Sequence, residues 1–407
     1  MRPLCRTPGQ CCIRLPTDGL VQGYDCDRKR DALSSKPQCG PIAVRAPRMR
    51  IPTMRFRTGL AAFAATALAL PASAQTAPNP TPLYSLDTAQ MLPSTDTDWD
   101  YIRLDPHGSR LFIARRKDGL TVYDVDRRKV IGTVANSAGA NGPLLLPQYN
   151  RGYVAMTDGS LLSFDLKTLA VIERIRLAED GGLNGVVHDP ATKRIHAVVS
   201  ARQTESAWFT LDAATGRPLG KTVFPFRKMD DPSPDGKGHL YAPARYDNIL
   251  MRLDAETLEE QARWQIDCVQ VVAVEYQPST NRVLIGCRGD KPVFIALDPD
   301  TGRQLAKIPI GNGIDGMAVD EKRHRIVTSN GGNASLTGIQ QDGPDSYRLL
   351  GNVQTRPQAR TMAIDERDGR LYLVNADATF PGPDDKGATP APYFHPNSFA
   401  VLTYKPM

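Results

Sequence analysis

The chain has 407 residues, with 50 Lys and Arg against 44 Asp and Glu, for a formal charge of +6. Such a balance would suit nucleic acid or an anionic membrane surface, but the excess is confined to one end. Residues 1–74 carry twelve basic and four acidic residues, which leaves 38 basic against 40 acidic over residues 75–407, a net of −2 with no further long apolar run.

Residues 1–53 show neither strand nor helix periodicity. Cys5, Cys11, Cys12, Cys26 and Cys39 are irregularly spaced, without paired C-x₂-C units and without His, so zinc is not indicated. The stretch reads as an extension lying upstream of the biological start, without folded structure. Residues 54–75, MRFRTGLAAFAATALALPASAQ, then supply a basic start, an apolar core too short to span a bilayer stably, and a small-x-small cleavage site. They predict a signal peptide cleaved after Ala74, and hence a periplasmic or secreted bacterial protein beginning at Gln75. Gln75 in place of Cys argues against a lipoprotein. Only Cys268 and Cys287 remain beyond that point.

From residue 75 onward, short alternating strands are separated by Gly, Pro, Asn and Asp, and one phrase recurs. It is clearest at 100–114 (DYIRLDPHGSRLFIA), 184–198 (NGVVHDPATKRIHAV), 315–329 (DGMAVDEKRHRIVTS) and 360–374 (RTMAIDERDGRLYLV). Weaker copies lie at 142–156 and 270–286, and the most degenerate at 230–244. The residue before each second strand is Arg110, Arg151, Arg194, His239, Arg282, Arg325 and Arg370, giving seven copies about 43 residues apart. Third strands end on Asp124, Asp165, Asp212, Asp254 and Asp298, where an acidic turn is expected. Four short antiparallel strands repeated radially predict an all-β, seven-bladed β-propeller. The seventh copy lacks an outer strand: after 371–375 comes a Pro/Gly-rich excursion at 377–398, then one strand at 399–404. Residues 83–92 are predicted to complete that blade, closing the ring and pairing an exposed edge.

Several of these phrases carry a family resemblance. GIDGMAVD, RTMAIDERDGRLYLVNAD, GCRGDKPVFIALDPDTGRQLAKIPIG and the D-x-x-T-G turns resemble the YVTN-repeat β-propellers, in particular the YncE-like secreted bacterial group. The resemblance covers nearly all of residues 75–407 and is most specific over 268–377. It implies export to the periplasm, but little chemistry, because this fold serves binding scaffolds, lactonases and dehydrogenase subunits alike. It also brings a DNA-binding reading, to which a net of −2 gives no support.

In such a ring the first strand of each blade lines a central channel. The residues starting those strands are Asp100, Gly142, Asn184, Asp230, Gln270, Asp315 and Arg360, so mostly polar groups are expected to converge on a channel mouth as a ligand site. Within it, Asp100 and Asp315 are the candidate ligands of a divalent cation such as calcium; Arg360 suits a carboxylate; and Trp99 could stack on a ligand or pack between blades. The alternative is that these positions are polar only because they are wet.

Cys268 and Cys287 sit at one end of the fifth hairpin, placed to form a disulfide, or to remain as two reduced core cysteines. His188 and His196 flank another hairpin with no metal ligand adjacent in sequence. C-x-x-C-H, G-x-S-x-G and H-E-x-x-H motifs are absent, so no nucleophile is visible. The expectation is a monomeric scaffold binding a small molecule or protein without catalytic machinery. The alternatives are a lactonase-type hydrolase using a cation at the mouth, and a DNA-binding propeller.

Overall fold

Seven four-stranded antiparallel sheets follow one another along the chain. The computed structural model describes residues 82–106, 108–385 and 387–407, together with the strand pair Gln10–Cys11 and Tyr24–Asp25. The extension at 1–53, apart from that pair, and the signal segment at 54–74 lie outside the described residues. The chain divides into two units, Met1–Ala77 and Pro78–Met407, and the second holds all seven sheets.

Blade 1 is built from Trp99–Leu104, Arg110–Arg115, Gly119–Asp124 and Lys129–Thr133, hydrogen-bonded in that order. The first strands of the other blades are Ala140–Leu146, Leu183–Asp189, Ser233–Pro234, Val271–Gln277, Ile314–Asp320 and Met362–Ile364. Second and third strands are apolar on both faces because each sheet is covered by its two neighbours. Leu111 to Ala114 and Leu120 to Val122 are fully buried, whereas the outer strand Lys129–Thr133 is largely exposed. Aromatic pairs such as Phe112 and Phe164, 5.9 Å apart, pack blade 1 on blade 2.

The repeated arginine has a physical role. Arg110 donates to the Leu166 carbonyl, Arg151 to that of Thr215 and Arg194 to that of Glu256, each in the following blade. Arg282 likewise reaches Asp345 at 2.7 Å. These contacts clasp successive blades at the outer rim. In the degenerate fourth copy His239 turns instead to Asp235, 2.7 Å away, and Arg252 makes the reach to Pro299 at 3.3 Å.

The acidic turns also form as expected. The Asp165 carboxylate accepts from the backbone of Lys167 and Thr168, and Asp212, Asp254 and Asp298 repeat the pattern. Backbone donors at Thr168 and Thr257, and chiefly the Thr215 hydroxyl at Asp212, hold three of these carboxyls below the usual range. Burial pulls Asp298 the other way, but its backbone donors prevail and lower it too. Four residues on, the chain must turn left-handed: Gly302 has φ 72°, and a Cβ there would lie 2.0 Å from the Trp264 ring.

The last blade runs Met362–Ile364, Leu371–Asn375, Ala400–Pro406 and Tyr84–Met91, with Tyr84 opposite Pro406 and Met91 opposite Ala400. The ring therefore closes through the strand expected to close it. Within the 377–398 excursion, Ala378–Thr379 pairs with Tyr393–Phe394, and the Phe394 ring lies 5.4 Å from Trp99 at the start of blade 1. Among the described residues no helix is long and apolar enough to cross a membrane.

Candidate functional site: the channel mouth and waist

A β-bulge opens the first strand of five blades. Asn141, Asn184, Val272 and Asp315 are the inserted residues in blades 2, 3, 5 and 6, and in blade 1 Asp100 and Tyr101 share one partner position. Bulges re-aim side chains where pairing begins, and repetition makes them a ring of bulge residues at the channel mouth.

This ring differs from the expected one in blades 2 and 5, and blades 4 and 7, with Asp230 and Arg360 the expected members, open without such a bulge. Blade 2 contributes Asn141, not Gly142, which must be glycine because a Cβ would meet the Gly185 backbone at 2.7 Å. Blade 5 contributes Val272, not Gln270. Gln270 precedes the strand in a left-handed conformation, φ 59°, held by a hydrogen bond from its backbone N–H to the Asn248 side-chain oxygen. The expected ring takes the residue that begins each first strand, whereas the bulge position lies ten residues before the rim arginine.

Most charges at the mouth are already partnered. Asp100 pairs with Arg116 at 3.0 Å. Asp315 takes both Arg288 and Arg360, the latter at 3.2 Å. Asp230 is buried between Lys228 at 3.2 Å and Arg245 at 3.5 Å, so it is a structural ion pair, and the next residue, Asp231, faces the cavity. Burial pushes the Asp100 carboxyl up to about 6, with Arg360 opposing and Asp315 adding to the rise. Asn184 is held on several sides: its amide donates to Asp231 at 3.0 Å and to the Tyr101 hydroxyl at 3.2 Å, and its carbonyl accepts from Lys228 at 2.7 Å. Burial drives Tyr101 well above the phenol range and raises Asp231.

Trp99 cannot stack on a ligand. It is fully buried, edge-on to Phe394 and Phe399, with the Arg360 guanidinium 5.2 Å over its ring. A cation does not fit Asp100 and Asp315 either, since arginines neutralise both. No group of three or more His, Cys, Asp or Glu could hold a metal among the described residues.

Cys268 and Cys287 are disulfide-bonded, with Cα atoms 6.2 Å apart. Cys287 pairs across from Val271, so the bond ties the loop before the first strand of blade 5 to the second strand. His196 is buried, 3.1 Å from the Thr210 hydroxyl, and burial lowers it to about 4, which makes it a neutral core group. His188 lines the channel, its Nε2 buried without a partner and its pKa lowered by burial.

Below the mouth the channel holds a cavity of 280 Å³ and, beyond it, one of 590 Å³. Strand register defines the wall between them. The residue opposite the second position after each rim anchor is Arg103, Leu144, Val187, Ser233, Glu275, Ala318 or Ala363 in turn. Four are apolar and one is a serine. The remaining two, Arg103 of blade 1 and Glu275 of blade 5, line both cavities. Neither makes a hydrogen bond or ion pair among the described residues, and both are exposed to the lumen. Protein walls around Glu275 push its carboxyl up to about 7, with Arg103 opposing.

Comparison with known proteins adds the fold alone. No family model matches the sequence, and no curated protein does. Among solved structures the chain is similar to the hydrazine synthase of Kuenenia stuttgartiensis, at 17% identity and TM-score 0.58 over 69% of this chain and 93% of that one. It is also similar to a chain of a mitotic checkpoint complex, at 11% identity and TM-score 0.61 over 78% and 96%. The Cps50 (Swd1) β-propeller domain of Myceliophteria thermophila matches at 11% identity and TM-score 0.61, over 79% and 99%. Fold and channel together define the class: a seven-bladed β-propeller whose mouth is a closed ion-pair network and whose waist is an open, charged lumen.

Proposed function

We propose that this protein is an exported propeller of the YVTN-repeat, YncE-like kind, resident in the periplasm or secreted, acting as a scaffold that binds a small ligand or a protein partner at its channel. The observation that carries this reading is the channel cavity of 280 Å³, lined by Tyr101 and Asp231, which Asn184 holds in place at 3.2 and 3.0 Å, beside apolar Val186, Val272 and Met317. Prepositioned donors and acceptors beside an apolar wall suit recognition of a small molecule. Rigid blades supply that prepositioning without any moving part.

Two measurements on the full-length gene product test the reading. Osmotic-shock fractionation with N-terminal sequencing is expected to find the protein in the periplasmic fraction, starting at Gln75. Recovery only from the cytoplasm with residues 1–53 attached would contradict export. A thermal-shift panel of amino acids, carboxylates, sugars and sugar lactones is expected to give a saturable rise in Tm with one class. A flat response to every class would contradict small-ligand binding.

A further inference from the structure

Arg103 and Glu275 are the two charged members of the waist ring, and both are open to the lumen. They stand in blades 1 and 5, three steps apart around seven, and so nearly face each other across the lumen. Both line both cavities. No ion pair within 4.0 Å joins them or binds either to another described residue, whereas the mouth carboxylates Asp100, Asp230 and Asp315 are all paired. Arg103 meets only the face of Tyr101, 5.9 Å from its ring centroid, and Glu275 has no hydrogen-bonding partner among the described residues, so both charges are free to meet a ligand in the lumen.

We propose that the waist binds a small zwitterion with an apolar body, an α-amino acid or short peptide. Its carboxylate sits on Arg103 and its ammonium on Glu275. The guanidinium fork matches a carboxylate bidentately, and the glutamate oxygens accept from an ammonium. The apolar body lies against Met317 and Met362, which line both cavities and adapt readily to varied shapes. A cavity of 280 Å³ opening on one of 590 Å³ accommodates either a single residue or a dipeptide. A simple anion or a simple amine would satisfy one charge and leave the other stranded, so the pair selects for both charges on one molecule.

The proposal rests on the reading of the protein as a binding scaffold and is tested by titration calorimetry on the purified full-length product. The probes are L-leucine and L-leucyl-L-leucine, with isoamylamine and 4-methylpentanoate as the singly charged relatives. At least one zwitterion is expected to bind, with both singly charged compounds about tenfold weaker or more. Arg103→Gln and Glu275→Gln, which keep hydrogen-bonding capacity, are each expected to weaken the zwitterion about tenfold or more, with folding verified by circular dichroism. Equal binding of a singly charged relative, or wild-type affinity in either variant, would overturn the proposal and leave the scaffold reading standing. Binding of another class from the thermal-shift panel, with no response to either zwitterion, would do the same. No binding of any class would overturn both.

Discussion

The mouth and the waist of the channel lie a few residues apart on the same strands, yet they handle charge in opposite ways. At the mouth each of Asp100, Asp230 and Asp315 is bound to one or two cations. At the waist Arg103 and Glu275 face the lumen unpaired. Charges that pair with each other hold a structure together, and charges left unpaired on a cavity wall are available to something else. Residue type alone cannot separate the two roles; pairing does.

The contrast is broken most visibly by removing the supports of the mouth. Replacing Cys268 and Cys287 with Ser frees the loop leading into blade 5 and is expected to cost about 3 kcal/mol for a bridge of this span, read by chemical denaturation with and without reductant. Asp315→Asn strips Arg288 and Arg360 of their shared carboxylate, an expected loss of about 1.5–3 kcal/mol. Gly142→Ala drives a methyl into the Gly185 backbone between blades 2 and 3, at an expected cost of about 1–3 kcal/mol. An unchanged denaturation midpoint in these variants would show that the mouth is not a rigid element.

The waist is expected to behave in the other direction, and by less. Glu275 faces Arg103 from blade 1, His188 from blade 3, Asp231 from blade 4 and Asp315 from blade 6, with Glu321 and Glu366 in the larger cavity. Burial raises its folded-state pKa to about 7, from an ordinary 4.5. The native state therefore holds its proton more tightly than the unfolded chain, and stability falls as pH rises between those values, then levels off above 7. Glu275→Gln removes that fall. The variant is expected to gain on wild type between pH 5 and pH 8, by under about 1 kcal/mol because lumen water screens the charge. A constant difference across that range would contradict a raised pKa.

Much of this is legible in the sequence. The anchors Arg110, Arg151, Arg194, His239, Arg282, Arg325 and Arg370 fix the blade count because each stands at the start of a second strand or, for Arg370, one residue before it, and the Asp turns fix the third. The missing strand at 83–92 followed from a seventh copy that stops short. The mouth was only partly legible. Gly142 and Gln270 look like strand beginnings because they flank the apolar run, but the bulge places Asn141 and Val272 there. Counting ten residues back from each rim arginine recovers both. The waist was visible by the same count: Arg103, Leu144, Val187, Glu275, Ala318 and Ala363 all lie seven residues before their anchor. Blade 4 resists it because its first strand shrinks to Ser233–Pro234, and a shortened hairpin shifts Ser233 by one. The ion pairs of Lys228, Arg116 and Arg288 with the ring come from other strands and loops, and no local pattern announces them.

The most direct test of the contrast between mouth and waist is thermal unfolding of Asp315→Asn and Glu275→Gln side by side at pH 7.5 without added ligand. A structural mouth and a free waist predict a clear drop in Tm for Asp315→Asn and a Tm for Glu275→Gln at or above that of wild type. Equal losses in the two variants would contradict this, because Glu275 would then be one more structural charge.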